Sequence, residues 1–555
     1  MQSVWNPATI VGQFFLRCAA TPAQPAVHYK VAGSFVPLTW GELERRTYGY
    51  MRELARYGVM AGDRVAVVSE NRWEWLVADF ASQALGAIHV PIHAGMSPQQ
   101  TAWEIADCRP RIAILSTPDQ LAKLSFVEER LPSDTRFISF DACEGRLAGL
   151  PVEILSANAN ASAEAAPAVV TPADVATIIY TSGTTGEPKG VQLTQGNLAS
   201  NAQGVLDAFG SKRHDHRLNV LPLSHIYART CDWYVSIVAG TQMAIAESRE
   251  SVMGDLQLIR PNVINAVPYF YDKLRRVLEE KGAAQQPGAL ASLLGGGIEM
   301  CNSGGAALPD HVFDYYEQQG IKLRQGYGLT ETSPVITLST EETFRRGSAG
   351  KVIPGVEVRI ADDGEILTRG PHVMAGYYHD PEGTAQALQD GWLHTGDLGR
   401  LDNDGFLFIT GRKKELIVTA VGKNVAPAII EGLLSSEPLI AQAMVVGDGR
   451  NYLAALIVPN PEALRALIAA HKIAFRTPTE ALTHPTILAH YEQRIYAALA
   501  GLSSSEQVRR FVLLSRGFLP ERGELTSKLS LRRDVIACHF SDEIESLYAE
   551  PTAHA

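Results

Sequence analysis

The sequence predicts an α/β protein of more than one domain, built mainly on parallel sheet. Three observations carry that expectation. Residues 1–140 alternate short apolar runs with amphipathic stretches, the rhythm of βαβ units. Residues 352–370 switch to two-residue alternation around Asp363-Gly364, the pattern of an antiparallel hairpin. Beyond Gly411 the composition changes again, and 440–458 give two apolar strands followed by helices to about 501, an α+β unit. A chain of 555 residues also exceeds what a single core holds.

The elements follow in order. Phe14, Phe15 and Leu16 sit in a short amphipathic segment, and 27–29 with 35–38 read as paired strands around Ala32-Gly33. Thr39, with Glu42 three residues on, reads as a capping box. Residues 64–68 are a buried strand, 73–85 a helix and 87–90 the next strand, and 112–115 and 137–140 continue the alternation. Residues 145–171 are rich in Ala, Asn, Ser and Pro and read as a surface connection. Two strands, 175–180 and 191–194, bracket a loop; 218–221 is a further strand, 260–274 a strand entering a helix, and 279–297 a loop.

Composition narrows the function. A 46% hydrophobic and 20% charged chain is ordinary for a globular protein, and a net charge of −11 argues against nucleic acid as the main partner. The six cysteines are scattered with no Cys-x-x-Cys pair, as in reduced intracellular proteins. No N-terminal run has the flanks of a signal peptide and none reaches the length of a membrane span, so a cytoplasmic location is expected, with membrane contact at most peripheral.

The chemistry concentrates in a few stretches. Tyr180-Thr181-Ser182-Gly183-Thr184-Thr185-Gly186-Glu187-Pro188-Lys189-Gly190 collects glycines, hydroxyls and a lysine between two strands, which suits a polyphosphate: free N–H groups, hydroxyl donors and a point charge. Its spacing is not the Walker pattern, because Gly186 stands three residues before Lys189 and no hydroxyl follows the lysine. Pro222-Leu223-Ser224-His225 places a histidine past a strand end, where open α/β sheets hold ligands, although a lone histidine there also serves structure. Ser303-Gly304-Gly305-Ala306 exposes backbone on which a flat base fits, or serves simple strand-to-helix packing. In Tyr327-Gly328-Leu329-Thr330-Glu331, the tyrosine offers a face to a base, Thr330 a hydroxyl to a phosphate and Glu331 a hard carboxylate for Mg²⁺. Asp397, read as part of a tight turn, can accept from both hydroxyls of a ribose. Asp402-Asn-Asp-Gly405 reads as a hairpin turn rather than a calcium loop.

Taken together and in order, these motifs resemble the AMP-forming adenylate synthetases, the superfamily of acyl-CoA synthetases, peptide-synthetase adenylation domains and beetle luciferases. The resemblance spans residues 10–540 and is nearest to long-chain fatty acid–CoA ligases. It implies a large domain, 1–411, of parallel-rich βα sheets with a β-barrel-like section, and a smaller mobile α+β lid, 412–555, hinged near Lys414. It also implies ATP, Mg²⁺ and CoA as ligands and a fatty acid as substrate. By resemblance, His225 borders the carboxylate pocket and Gly304, Gly305 and Ala306 edge the adenine. Thr184 and Glu331 hold the metal, Asp397 and Arg412 the ribose, and Gly422 and Lys423 line the CoA passage. Arg229 stands where some relatives carry a gate tryptophan. One departure stands out: the adenylation lysine of the family falls on Ser530 in an ungapped alignment, with Lys528 two residues earlier and expected to replace it. Two rivals remain from the sequence, an acyl-adenylate enzyme that serves a carrier protein, and a crippled homologue that only binds its ligands. Chain length of the acid and oligomeric state are not legible.

Overall fold

The βα rhythm is realised from the first strand pair onward in the computed structural model, which describes residues 5–143, 145–147, 149–155, 166–181, 188–210, 216–420, 423–474, 477–525 and 531–549. Pro25–Val31 pairs antiparallel with Ser34–Thr39. Thr39 then caps Trp40–Arg56: its Oγ1 accepts from the Glu42 N–H at 3.2 Å, and its own N–H donates to the Glu42 carboxylate at 2.9 Å.

Among the described residues, two large sheets make up the N-terminal domain. In the eight-stranded sheet, Arg64–Ser69 lies parallel between Ile88–His93 and Ile112–Leu115. The run Val65-Ala66-Val67-Val68 has no polar alternation because both faces of that strand are covered. The hairpin Val175–Thr181 and Lys189–Thr194 joins this sheet through Ile88–His93, and Gly376–Tyr377 closes its edge. The nine-stranded sheet has a parallel centre formed by Gln242–Ile245, His216–Asn219, Val263–Ala266, Met300–Ser303 and Lys322–Gly328. One apolar core joins the two sheets, with Phe14 stacked on Phe80 at 4.1 Å and Trp40 on Trp233 at 5.7 Å. The ends of the two sheets meet where His93 and His225 bring their rings to 5.8 Å, and we place the cleft there.

Three expectations need correction. The strand read at 87–90 runs to His93, because Ile92 is as buried as Val90 and keeps the pairing with Val68. The segment 279–297 contains the helix Ala289–Leu293, pinned by buried Leu290 and Leu294. The connection 145–171 is not wholly superficial: Glu153–Ile154 adds a strand beside Arg136–Ser139, and Leu147, Val152 and Leu155 are buried beneath it.

The barrel-like section takes the form of five antiparallel strands, Glu357–Ile360, Glu365–Arg369, Leu388–Gln389, Trp392–Leu401 and Leu407–Arg412. Its first turn falls at Asp363-Gly364 as expected, with Gly364 at φ +86°. The turn at 402–405 is closed by Asp402 Oδ1, which accepts from the N–H groups of Asp404 and Phe406, both at 3.0 Å.

The C-terminal domain is α+β. Ile440–Val446 pairs antiparallel with Leu453–Pro459, which pairs parallel with Val508–Leu513. Pro427–Ser435 and Pro485–Ala498 cover one face, and Arg533–His539 with Ser541–Tyr548 cover the other. Its apolar clusters contain no described residue before Ile417. No described helix is long and apolar enough to cross a membrane.

Candidate active site

The cleft between the sheets gathers the predicted residues from five segments. Thr181 ends one strand of the phosphate-loop hairpin and Lys189 begins the other, paired in register, with the Thr181 hydroxyl donating to the Lys189 carbonyl at 3.4 Å. Ser182, Gly183, Thr184, Thr185 and Gly186 lie outside the described residues. The Lys189 ammonium sits 2.9 Å from Asp380 Oδ2 and 4.7 Å from the centre of the Tyr377 ring. The Tyr377 hydroxyl in turn donates to Glu331 Oε1 at 2.8 Å. Burial, followed by the adjacent Glu331 charge, raises the Tyr377 phenol well above its ordinary pKa, so it remains a donor. Glu331 lies in the single helical turn Thr330–Thr332 that follows Lys322–Gly328.

The nucleotide side is built by strands. Asp397 belongs to the strand Trp392–Leu401 rather than to a tight turn; Gly396, at φ +72°, supplies the local kink while the pairing continues. The register sets Asp397 directly opposite Arg412, whose Nε is 2.8 Å from Oδ1. The Tyr327 hydroxyl donates to the other oxygen, Oδ2, at 2.8 Å. Burial raises the Asp397 pKa while Arg412 pulls it back, and Arg412 itself keeps about half of its side chain exposed, at 48%. Sequence reasoning assigned Tyr327 its ring face; the structure adds a second task for its hydroxyl. Gly304 is buried just past the end of Met300–Ser303, where a Cβ would crowd the Tyr227 ring at 3.0 Å. Gly305 and Ala306 are exposed beside it, and Gly328 closes the strand that carries Tyr327.

His225 stands just before the helix Ile226–Ala228, past the end of His216–Asn219. Its ring lies 5.8 Å from that of His93 at the tip of the other sheet. Burial lowers the His93 pKa, with the charges of Arg249 and Lys123 acting in the same direction. Arg229 turns inward and gates nothing: it is fully buried, 2.5 Å from Asp79 Oδ1, with Nη1 donating to the Thr177 hydroxyl at 2.8 Å. Trp233 is equally buried against Trp40.

Two family models match this architecture. One described as AMP-binding enzyme covers residues 14–378, and one described as AMP-binding enzyme C-terminal domain covers 414–552. The chain belongs to the AMP-binding enzyme family. It is 32% identical to the long-chain-fatty-acid–CoA ligase FadD15 of Mycobacterium bovis, over 93% of each chain. It is 29% identical to the peroxisomal long chain acyl-CoA synthetase 7 of Arabidopsis thaliana, over 94% of this chain and 83% of that one. Among solved structures, o-succinylbenzoate CoA synthetase from Bacillus subtilis with its acyl-adenylate superposes with a TM-score of 0.73 at 26% identity, covering 94% of this chain and 97% of the other. Anthranilate CoA ligase AuaEII shares the fold with a TM-score of 0.77 at 20% identity, over 96% and 97% of the two chains. The expected family, fold class and acid–thiol ligase class are therefore borne out.

In this AMP-binding enzyme the C-terminal residues are placed unevenly. Arg412 ends the strand Leu407–Arg412. The Lys413 ammonium reaches back to Asp363 at 2.6 Å and Glu365 at 3.1 Å, and Lys414 lies in the short turn Lys413–Glu415. Lys423 sits in the hairpin between Ile417–Val418 and Asn424–Val425, while Gly422, Lys528 and Ser530 lie outside the described residues. The flanks of 526–530 are anchored: Leu525 and Leu531 form an antiparallel bridge, and buried Glu524 takes a bidentate ion pair from Arg516.

The donor set fits Mg²⁺ bound together with ATP. No cluster of three or more His, Cys, Asp or Glu exists among the described residues, and one oriented carboxylate suits an ion that keeps its waters and binds mostly to phosphate oxygens. The residues that sequence reasoning missed are Tyr377, Asp380 and His93. Asp380-Pro381 carries a helix-start signature, since Asp380 caps Pro381–Ala387, but nothing local ties that cap to Lys189.

Proposed function

We propose that this chain activates a long-chain fatty acid with ATP and then passes the acyl group to CoA. The observation that carries the reading is the convergence of Lys189, Glu331 and the Asp397–Arg412 pair on one cleft, supported by relatives that are fatty acid–CoA ligases. In the first step a carboxylate oxygen of the acid attacks the α-phosphorus of ATP. The bond to the bridging oxygen breaks, giving acyl-adenylate and pyrophosphate. Mg²⁺, when bound, offsets the charge of the phosphates.

The chain's own residues position and neutralise. Lys189 meets the phosphates with its ammonium, Thr330 offers a hydroxyl to the α-phosphate, and Glu331 holds the metal together with Thr184. Lys528 takes the place of the family's adenylation lysine. Asp397, oriented by Arg412 and Tyr327, accepts from the ribose. Gly304, Gly305 and Ala306 leave the backbone open to the adenine. His225 borders the carboxylate. In the second step the CoA sulfur attacks the acyl carbon and AMP leaves with the bonding electrons. We assign the large domain to 1–411 and the lid to 412–555, the lid turning near Lys414 so that Gly422 and Lys423 face the thiol. We assign the protein to the cytoplasm, with any membrane contact peripheral.

A mass-spectrometric time course with ATP, Mg²⁺ and a mixture of C2 to C20 acids, with and without CoA, tests the reading. Acyl-CoA and AMP from the longer acids are expected. Acyl-adenylate that accumulates without consuming CoA would replace CoA with a carrier protein. The absence of any adenylate from every acid would refute the activation itself.

A further inference from the structure

Tyr377 and Asp380 lie on a segment that sequence reasoning left unread, yet it touches both halves of the phosphate site. Its backbone is fixed on two sides. The Ala375 N–H donates to the Gln192 carbonyl at 3.0 Å and the Tyr378 N–H to Gly190 at 2.7 Å, tying it to the strand that leaves the phosphate loop. The Met374 N–H donates to the Glu331 carbonyl at 2.8 Å, tying it to the metal-holding turn. The side chains repeat this division. Tyr377 gives its hydroxyl to Glu331 Oε1 and its ring face to the Lys189 ammonium. Asp380 uses Oδ1 to accept from the Gly383 N–H at 2.7 Å and Oδ2 to hold Lys189 at 2.9 Å. The fit is close: a Cβ at Gly383 would stand 2.1 Å from Asp380 Oδ2 and 2.7 Å from Lys189 Nζ, so the residue there must be glycine for the pair to form. Among the described residues Glu331 Oε2 accepts no hydrogen bond, so Tyr377 engages the carboxylate by one oxygen and leaves the other without a protein partner.

We propose that Tyr377 is a positioning residue that fixes the Glu331 carboxylate relative to the Lys189 ammonium, so that metal and phosphate are recognised as one unit. The inference rests on the roles proposed for Glu331 and Lys189. Outer groups that orient a metal ligand alter metal affinity by roughly 10–100-fold when removed. The phenol does this without charge, and its ring adds a cation–π contact that aligns the lysine. Asp380 keeps that lysine on the ring until a phosphate competes for it.

Calorimetric binding of ATP, titrated over a range of Mg²⁺ concentrations with no acid present, tests the proposal independently of any substrate. Tyr377→Phe removes only the hydroxyl. It should raise the Mg²⁺ concentration needed for half-maximal ATP binding by roughly tenfold or more, and leave Mg²⁺-free ATP binding unchanged. Asp380→Asn should change ATP affinity at saturating Mg²⁺ without moving the Mg²⁺ midpoint. In a second measurement, conversion of synthetic acyl-adenylate and CoA to acyl-CoA, which consumes no Mg²⁺–ATP, should lose less in Tyr377→Phe than Mg²⁺-dependent ATP binding does. An unchanged Mg²⁺ midpoint in Tyr377→Phe would overturn the proposal, and so would wild-type ATP binding that is indifferent to Mg²⁺. An equal loss in both measurements would reduce Tyr377 to a structural residue. Failure of every acid to be adenylated would instead refute the functional reading while this binding test still decides the role of Tyr377.

Discussion

Two Asp–Arg–Tyr groups stand on this scaffold, and they differ in what they leave uncovered. Asp79 receives Arg229, the Tyr234 hydroxyl at 3.0 Å and the Gln83 amide at 2.6 Å, and neither Asp79 nor Arg229 has exposed side chain. Asp397 receives Arg412 and the Tyr327 hydroxyl by the same chemistry, but about half of Arg412 faces solvent. In the first group every oxygen is spent inside the protein; the ion pair ties the helix after His225 to the helix Trp73–Ala84, and the Arg229 bond to Thr177 ties it to the strand entering the phosphate loop. In the second group the Arg412 side chain stays half exposed, as the proposed ligand contact requires. Burial, not residue type, separates the two groups.

Breaking the buried group should give the largest effect. Arg229→Met strands the Asp79 carboxylate in an apolar core and is expected to cost about 3–5 kcal/mol in denaturant unfolding. The double variant Arg229→Met, Asp79→Leu should recover a large part of that loss, since it removes the unpaired charge. A single variant as stable as wild type would show that the pair is not what holds the helix.

On the open side, Glu331→Gln should lower kcat/KM of adenylation by roughly 10²–10³ while the melting temperature stays near wild type. Arg412→Ala should follow, raising the KM for ATP by about 10–100-fold, the worth of a charge-assisted hydrogen bond. A stability loss in Arg412→Ala as large as that of Arg229→Met would erase the distinction between the two groups.

A third carboxylate sharpens the comparison by lacking an arginine. Glu104 is 1% exposed, its Oε1 has no hydrogen-bond partner among the described residues, and burial, with Asp107 adding to it, pushes its pKa up to about 8. Such a group keeps its proton in the folded protein after the unfolded chain has lost it. Its contribution to stability therefore falls as pH rises from about 4.5 to about 8 and is constant above that. Glu104→Gln should match wild type near pH 5 and exceed it by roughly 4 kcal/mol at pH 8.5, read from unfolding at both pH values. A difference independent of pH would contradict the assignment.

The sequence disclosed much of this because the signals were local. The capping box at Thr39, the hairpin turn at Asp363-Gly364 and the strand pair around 447–449 each follow from a few adjacent residues, and each is realised. The motif residues Lys189, Glu331, Asp397 and Arg412 stand out in the sequence because they sit in contiguous phrases; their partners do not. Tyr377 lies 46 residues from Glu331 and Asp380 lies 191 from Lys189, so only sheet pairing brings them together. Asp397 was read into a turn because Thr-Gly-Asp looks like one, yet long-range pairing with Arg412 kept it in a strand. Arg229 stands where some relatives carry a gate tryptophan, and its turn into the core depends on Asp79, 150 residues away.

The central claim, that this cleft forms an acyl-adenylate from a fatty acid, is tested most directly by exchange of labelled pyrophosphate into ATP. The exchange should require a long-chain acid and Mg²⁺, proceed without CoA, and fall by at least a hundredfold in Glu331→Gln protein of native melting temperature. No exchange with any acid, or exchange untouched by Glu331→Gln, would contradict it.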